Sequence, residues 1–427
     1  MKLYQHQKDA LRQTEGKNRV AYYLDMGLGK TFVGSEKMAQ LGARLNLVIC
    51  QKSKVNDWVN HFQEHYPTTV VWNLTKKKEL DNFKLFCIEG VTHIAVINYE
   101  LAWRRPELAR LRDFTLMLDE SSLIQNKTAK QTKFIVDKLQ PTNVILLSGT
   151  PCSGKYENLW TQAKLLGWDI SESTYLQHYV DRELAKTHVQ GMVRRFWKVL
   201  GYKNVDRLKE KFREHGSIFL KTDEVMDLPE QTFVDVYVDP PKEYKKFIRD
   251  GIIQIDSAEL IGDTQLTKRL RARQICSIYS KDKYDAFLDL IASTKDRLIV
   301  FYNFTEELNR LMAIAMAEGR PCSVVNGFRK TLDAYESCDD SITFVQYQAG
   351  SKGLNLQKAN KIIYFSLTEK CDDWMQSQKR IHRIGQNRPC FYYILKCRNT
   401  VEERIHEALK RGVDYTDELF REEENLL

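Results

Sequence analysis

Short apolar runs, each followed by polar loop residues, alternate along the chain with stretches of helical period. That alternation is the pattern of parallel α/β sheets. Residues 20–24, 45–50, 94–97, 115–118 and 144–147 predict the buried strands of one sheet. Residues 298–302, 342–345, 361–365 and 391–395 predict those of a second. Two such sheets make two nucleotide-fold lobes. Between them, from about residue 156 to about 220, the chain is rich in Trp, Tyr, Lys and Arg, reads as helical and shows no strand series. Asp227-Leu-Pro229-Glu230 then breaks the pattern, and residues 232–239 alternate like a strand entering the second lobe. The expected organisation is a first lobe over 1–153, a helical insertion over 154–226 and a second lobe over 227–427. The second lobe has a helical insert of its own at about 241–282.

The candidate chemistry sits in the loops after these strands. Leu24-Asp25-Met26-Gly27-Leu28-Gly29-Lys30-Thr31 joins the first predicted strand to a helix. Glycines 27 and 29 let successive N–H groups turn inward, and the helix adds the partial positive charge of its N-terminus. Lys30 then reaches the β and γ phosphates of a nucleotide, and Thr31 offers a hydroxyl to Mg²⁺. Leu24 stands where the generic Gly-x-x-x-x-Gly-Lys-Thr pattern has its first glycine, so the loop alone also reads as a strand-to-helix turn without a ligand. Asp119-Glu120 closes the apolar strand 115–118. Placed there, Asp119 suits a Mg²⁺ shell and Glu120 suits polarising a water; an acidic pair by itself is more often a solvated loop. Leu146-Leu-Ser148-Gly149-Thr150-Pro151 again follows a strand, and Ser, Gly and Pro are also ordinary turn formers.

Composition excludes more than it assigns. With 427 residues, 43% hydrophobic and 29% charged, the chain describes a soluble protein of two or three domains. The net charge of +8 suits a polyanionic partner and equally describes a solvated surface. The nine cysteines form no Cys-x-x-Cys pair and no Cys/His cluster in sequence, so they indicate neither zinc nor a disulfide framework but core thiols in a reducing cytosol. The chain opens Met1-Lys-Leu-Tyr-Gln-His-Gln without a signal-peptide core, and no run reaches about 18 apolar residues. The expectation is a protein neither secreted nor membrane-spanning.

Further motifs follow in order. They are Leu3-Tyr-Gln-His6-Gln7, Gln51-Lys52-Ser53 with Trp58, Leu123-Ile-Gln-Asn126, Leu159-Trp160, Lys221-Thr-Asp-Glu-Val-Met-Asp-Leu228-Pro229 and Leu298-Ile-Val-Phe301. Ala349-Gly350-Ser-Lys352-Gly353-Leu-Asn355-Leu356 comes next, and Gln376-Ser-Gln-Lys-Arg380-Ile-His382-Arg383-Ile-Gly385-Gln386 is the most specific. Over nearly the entire chain this set resembles the superfamily-two helicases and, within them, the Swi/Snf-type double-stranded DNA translocases. In that family the phosphate loop reads Asp-Glu-Met-Gly-Leu-Gly-Lys-Thr. Two departures stand out: the family's proline before Lys52-Ser53 is absent, and Ser122 replaces the histidine of its Asp-Glu-x-His box.

The resemblance implies an α/β protein of two tandem RecA-like lobes with a helical insertion, using ATP and Mg²⁺. It implies catalytic roles for Lys30, Asp119, Glu120, Arg380 and Arg383. Nucleotide contacts would come from Gln7, Met26, Gly27, Leu28, Gly29, Lys30, Thr31 and Gly353, with Gln7 reading adenine, and Mg²⁺ ligation from Thr31 and Asp119. Contacts to a double-stranded DNA backbone would come from Lys52, Ser53, Thr150, Asn303, Lys352 and Asn355. Arg380 and Arg383, three apart, would share one side of a helix and act as arginine fingers, worth about 10³ to 10⁵ in rate. The implied activity is that of a DNA-dependent ATPase that moves along duplex DNA. Two alternatives stay open: a strand-separating or annealing helicase, which would need a wedge element not recognisable here, and an ATP-gated clamp on DNA or protein. Chromatin remodelling is disfavoured because no histone-reading module is recognisable. A stripped motor core of this kind fits a monomer in the cytoplasm of a bacterium, or of a phage-infected host, near the nucleoid. The basic aromatic stretch Arg194-Arg195-Phe196-Trp197-Lys198 can touch nucleic acid, but more often reads as a helix with an aromatic core face.

Overall fold

The structure is a computed structural model that describes residues 3–85, 90–152, 154–189, 192–225, 227–255, 258–347 and 354–412. The chain divides into two compact units, Met1–Met226 and Asp227–Leu427.

The amino-terminal unit contains strands β1 (Arg19–Leu24), β2 (Leu45–Cys50), β3 (Val70–Asn73), β4 (His93–Asn98), β5 (Phe114–Asp119), β6 (Asn143–Ser148), β7 (Val180–Val189), β8 (Met192–Tyr202) and β9 (Ser217–Leu220). Seven of them form one sheet in the order β3-β4-β2-β5-β6-β1-β9, every pair parallel. The near-continuous apolar runs of its central strands follow from burial on both faces. Alternate side chains feed two cores. Ala21, Tyr23, Leu47, Ile49, Leu116, Leu118 and Leu146 point to one. Val20, Tyr22, Val48, Met117, Ile145 and Leu147 point to the other, where the helix Lys30–Leu41 packs. Each fully buried aliphatic side chain contributes about 1.5–3 kcal/mol.

The carboxy-terminal unit contains β10 (Gln231–Val238), β11 (Ile252–Ile255), β12 (Ala258–Ile261), β13 (Leu298–Tyr302), β14 (Cys322–Val325), β15 (Lys330–Thr331), β16 (Ile342–Gln346), β17 (Lys361–Tyr364) and β18 (Cys390–Cys397). Its sheet order is β10-β18-β17-β13-β16-β14-β15, parallel except for the β14–β15 pair. The same alternation recurs, with Ile299, Phe301 and Tyr364 on one face and Leu298, Val300 and Phe344 on the other.

Two regions expected to be helical are not wholly so. Residues 154–226 do hold helices Trp160–Leu165, Glu172–Tyr179 and Val205–Glu214. Between the last two, however, β7 and β8 form a long antiparallel hairpin, and β9 then joins the first sheet beside β1. The hairpin hides from a periodicity reading because neither face is buried in a core. In the second unit, helices Lys242–Asp250 and Gln265–Ile278 flank the small β11–β12 hairpin. Among the described residues no helix is long and apolar enough to cross a membrane.

Candidate nucleotide site

The carboxyl ends of β1, β5 and β6 bring the first set of predicted residues together. After β1 the chain turns through Gly27 and Gly29, at φ +88° and +76°, into the helix that starts at Lys30. The left-handed backbone favours glycine at 29, and a Cβ there would lie 2.1 Å from Gln7 Nε2, so the Gln7 amide would have to leave the Leu28 carbonyl to make room. Leu24 is the last residue of β1 and is not among the positive-φ residues, so this loop needs no glycine there. The Lys30 ammonium curls back over the loop and donates to the Leu24 carbonyl at 2.9 Å. It also lies beside the β6 turn, where a Cβ on Gly149 would meet Lys30 Nζ at 3.2 Å and Met26 Cγ at 3.3 Å. Thr31 sits half-buried in the first helical turn.

Gln7, expected to read adenine, is buried and braces the loop. Its Nε2 donates to the Leu28 carbonyl at 3.0 Å and its Oε1 accepts the Tyr4 N–H at 2.9 Å. His6 Nε2 lies 3.1 Å from the same Leu28 carbonyl.

Asp119 ends β5, where Trp58 Nε1 donates to its Oδ2 at 2.8 Å. Burial raises the Asp119 carboxyl above the usual carboxylate range, opposed first by the Trp58 hydrogen bond and then by the Lys30 ammonium. The next residue, Glu120, adopts φ +55°, a left-handed conformation that costs a non-glycine residue energy and persists only where its surroundings hold it. Tyr99 OH donates to the Asp119 carbonyl at 3.0 Å, and Ser148 Oγ donates to Glu120 Oε2 at 3.4 Å. Thr150 N–H in turn donates to Ser148 Oγ at 3.2 Å.

Sequence reasoning missed the residue that ties these loops together. Gln162 is fully buried; its Oε1 accepts from Tyr23 OH of β1 at 3.0 Å and from Ser121 Oγ at 2.8 Å. Its Nε2 donates to the Pro151 carbonyl at 2.8 Å. One amide thus joins the strand before the phosphate loop, the residue after Glu120 and the turn after β6. A lone glutamine in a short helix carries no motif signal. Trp58 was visible only as part of a motif, and its indole bond to Asp119 was not. Ser122 lies half-buried in the 3₁₀ turn Ser121–Ile124.

The donor set fits a Mg²⁺-nucleotide: a glycine loop at a helix N-terminus, an ammonium, a hydroxyl and a carboxylate at neighbouring strand ends.

In the carboxy-terminal unit the helix Cys371–Gln378 ends before Arg380, so Arg380 and Arg383 do not share a helix side as expected; both lie in the turns that follow. Gly385 at φ +93° continues those turns, and a Cβ there would meet Gln357 Nε2 at 3.0 Å. Arg380 is buried, with Nη1 donating to the Leu354 carbonyl at 3.2 Å. Arg383 is largely enclosed, which lowers its pKa through desolvation. His382 Nε2 lies 2.9 Å from the Pro229 carbonyl, and Gln386 Nε2 donates to the carbonyls of Gln357, Ala359 and Ile381.

The residues expected on DNA come from both units. Lys52 and Ser53 are exposed in the 3₁₀ turn after β2, Thr150 is half-buried, and Asn355 is exposed. Asn303 spends its amide on Ser366 Oγ at 2.9 Å and the Leu367 carbonyl at 3.0 Å. Lys352 and Gly353 lie outside the described residues. One grouping that sequence spacing did not foretell is the buried trio Cys276, Cys397 and Glu402. Glu402 is already neutralised by the buried ammonium of Lys283 and also accepts the Cys397 N–H, so the trio reads as core.

A parallel sheet that delivers a glycine loop with its lysine, an acidic pair and a Ser-Gly-Thr turn to neighbouring strand carboxyl ends has the arrangement of phosphate-loop nucleotide-binding proteins. Residues 23–278 match the SNF2-related domain and residues 282–385 the helicase conserved C-terminal domain. The first match covers more than half of the chain, which belongs to the SNF2-related family. A mouse SWI/SNF-related matrix-associated actin-dependent regulator of chromatin, subfamily A member 1, is 25% identical over 90% of this chain and 40% of its own length. The Drosophila melanogaster subfamily A-like protein 1 is 23% identical over 96% of this chain and 55% of its own. The chain therefore spans about half or less of these curated relatives. The Sulfolobus solfataricus SWI2/SNF2 ATPase core in complex with dsDNA aligns with a TM-score of 0.47 at 20% identity, covering 96% of this chain and 91% of that one.

Proposed function

We propose that this protein is a DNA-dependent ATPase whose turnover drives movement along double-stranded DNA. The observation that carries the reading is the convergence of Lys30, Asp119, Glu120 and Ser148 at the carboxyl ends of neighbouring strands of the first sheet, in a member of the SNF2-related family. Lys30 neutralises charge on the transferring phosphoryl group, and Glu120 orients and polarises the attacking water. Thr31 and Asp119 are the ligands proposed for Mg²⁺, which supplies further neutralisation when bound. Gln7 fixes the loop from below. Arg380 and Arg383 of the carboxy-terminal unit are assigned to the same developing charge. Lys52, Ser53, Thr150, Asn303, Lys352 and Asn355 are assigned to the DNA backbone, contacts that carry no sequence information and suit travel over any sequence.

The test is steady-state ATPase activity without nucleic acid and with single-stranded DNA, duplex DNA or RNA. Glu120→Gln serves as the inactive control and should lose about 10²- to 10⁴-fold. Stimulation by duplex DNA, absent in the variant, supports the reading. Preference for single strands or RNA overturns its duplex specificity.

A further inference from the structure

The β7–β8 hairpin carries an exposed face of its own, apart from the strand ends that hold the candidate nucleotide site. Its base is fixed to the amino-terminal unit. Val180 is buried, Tyr202 packs edge-on against Tyr156 with centroids 5.0 Å apart, and Tyr202 OH donates to Glu157 Oε2 at 2.7 Å. Asn204 Nδ2 donates to the His178 carbonyl at 2.9 Å, closing the same base.

Beyond the base, the register sorts the side chains. Residues directly opposite in an antiparallel pair share a face, so Arg182 with Val199, Leu184 with Trp197, and Lys186 with Arg195 lie on one side. Arg182 confirms this, with its guanidinium 4.6 Å from the Trp197 ring centroid. Glu183, opposite Lys198, alternates to the other side, and Asp181 lies beyond a register shift, opposite Gly201. Over the regular stretch 182–186 and 195–199, this face thus holds three cations and no carboxylate around an indole that is 55% exposed and a leucine that is 48% exposed.

Two features of this face are costly unless something covers it. Lys186 and Arg195 are like charges in directly opposite positions, an unfavourable cross-strand pair that an anion would relieve. Trp197 and Leu184 leave apolar surface in water. A duplex presents phosphates to such a face but keeps its bases stacked inside, which accounts for the cations and not for the indole. An unpaired strand offers both phosphates and open base faces, and bases stack on tryptophan regardless of sequence.

We propose that this hairpin face binds single-stranded nucleic acid, with Trp197 as the stacking platform and Arg182, Lys186 and Arg195 on the backbone. The site does not depend on ATP turnover and can be tested without nucleotide. Fluorescence anisotropy would follow a labelled oligo-dT of about 20 nucleotides, and a duplex of equal length, binding to the full chain. Trp197→Ala should weaken single-strand binding by about 5- to 150-fold while changing duplex binding little. Lys186→Gln with Arg195→Gln should lower the salt dependence of single-strand binding by about 1.4 in log–log slope. Unchanged melting temperatures would show that both variants fold. Unaltered single-strand affinity in both variants overturns the proposal and leaves the face to a protein partner. Equal loss of single-strand and duplex binding in Trp197→Ala overturns the stacking role.

Discussion

Replacing Gln162 with leucine keeps the volume of a fully buried side chain and removes the amide that joins three loops. Tyr23 OH and Ser121 Oγ, at 3.0 and 2.8 Å from its Oε1, lose their acceptor. The Pro151 carbonyl fares better, because Gln125 Nε2 also donates to it at 3.1 Å. Two orphaned buried hydroxyls at about 1–3 kcal/mol each put the cost at about 2–6 kcal/mol. That is a large part of the roughly 5–15 kcal/mol that keeps a domain folded. Hydrogen exchange of amides in β1, β5 and β6 reads this locally. The triple variant Tyr23→Phe, Ser121→Ala, Gln162→Leu removes every orphan and should recover most of the lost protection, since deleting all partners together is nearly neutral. ATP turnover should not recover with it, because Ser121 no longer anchors the segment that holds Glu120 at φ +55°. Protection in Gln162→Leu within about 0.5 kcal/mol of the parent, or a triple variant no more protected than the single one, would refute the reasoning.

Other outcomes follow from single contacts. Gly29→Ala places a Cβ 2.1 Å from Gln7 Nε2 and should abolish nucleotide binding in a fluorescent-nucleotide titration; Gly42→Ala, at φ +63° with nothing within 4 Å, should cost only about 1 kcal/mol of stability and leave binding intact. Trp58→Phe removes the donor that opposes the burial of Asp119, so the carboxyl rises further and the acid limb of the ATPase profile moves to higher pH; superimposable profiles would count against this role. His61 is pushed down to about 4, first by burial and then by His65. Because the unfolded histidine takes its proton near the ordinary value of about 6.5, stability should fall as pH drops from about 6.5 towards 4. His61→Gln, which can still reach Ser35, should show a smaller drop in melting temperature between neutral pH and pH of about 5.

The sheets were legible because β1, β2, β5, β6, β13 and β17 are buried on both faces and spell continuous apolar runs. The strands that escaped are those whose surroundings do not impose that spelling. β3, β9 and β14 are short and, unlike the equally short β17, are not set in a continuous apolar run, and β7 and β8 carry Lys186, Arg195 and Trp197 into solvent. The placement of Lys30 and Asp119-Glu120 was legible because each follows an apolar strand that its own residues announce. The support around them was not. Trp58 reaches Asp119 across 61 positions and Gln162 reaches Tyr23 across 139, and nothing local marks either pairing. The helix expected to carry Arg380 and Arg383 stops at Gln378, and the turns through Gly385 place both arginines instead.

Movement along a duplex is most directly tested by whether ATP hydrolysis displaces a third strand bound in the major groove of duplex DNA. The motor reading predicts release of the third strand by the parent protein with ATP, and none with Glu120→Gln or without ATP. Vigorous duplex-stimulated ATPase activity with the third strand left in place would contradict it and identify a clamp that hydrolyses ATP only to reset.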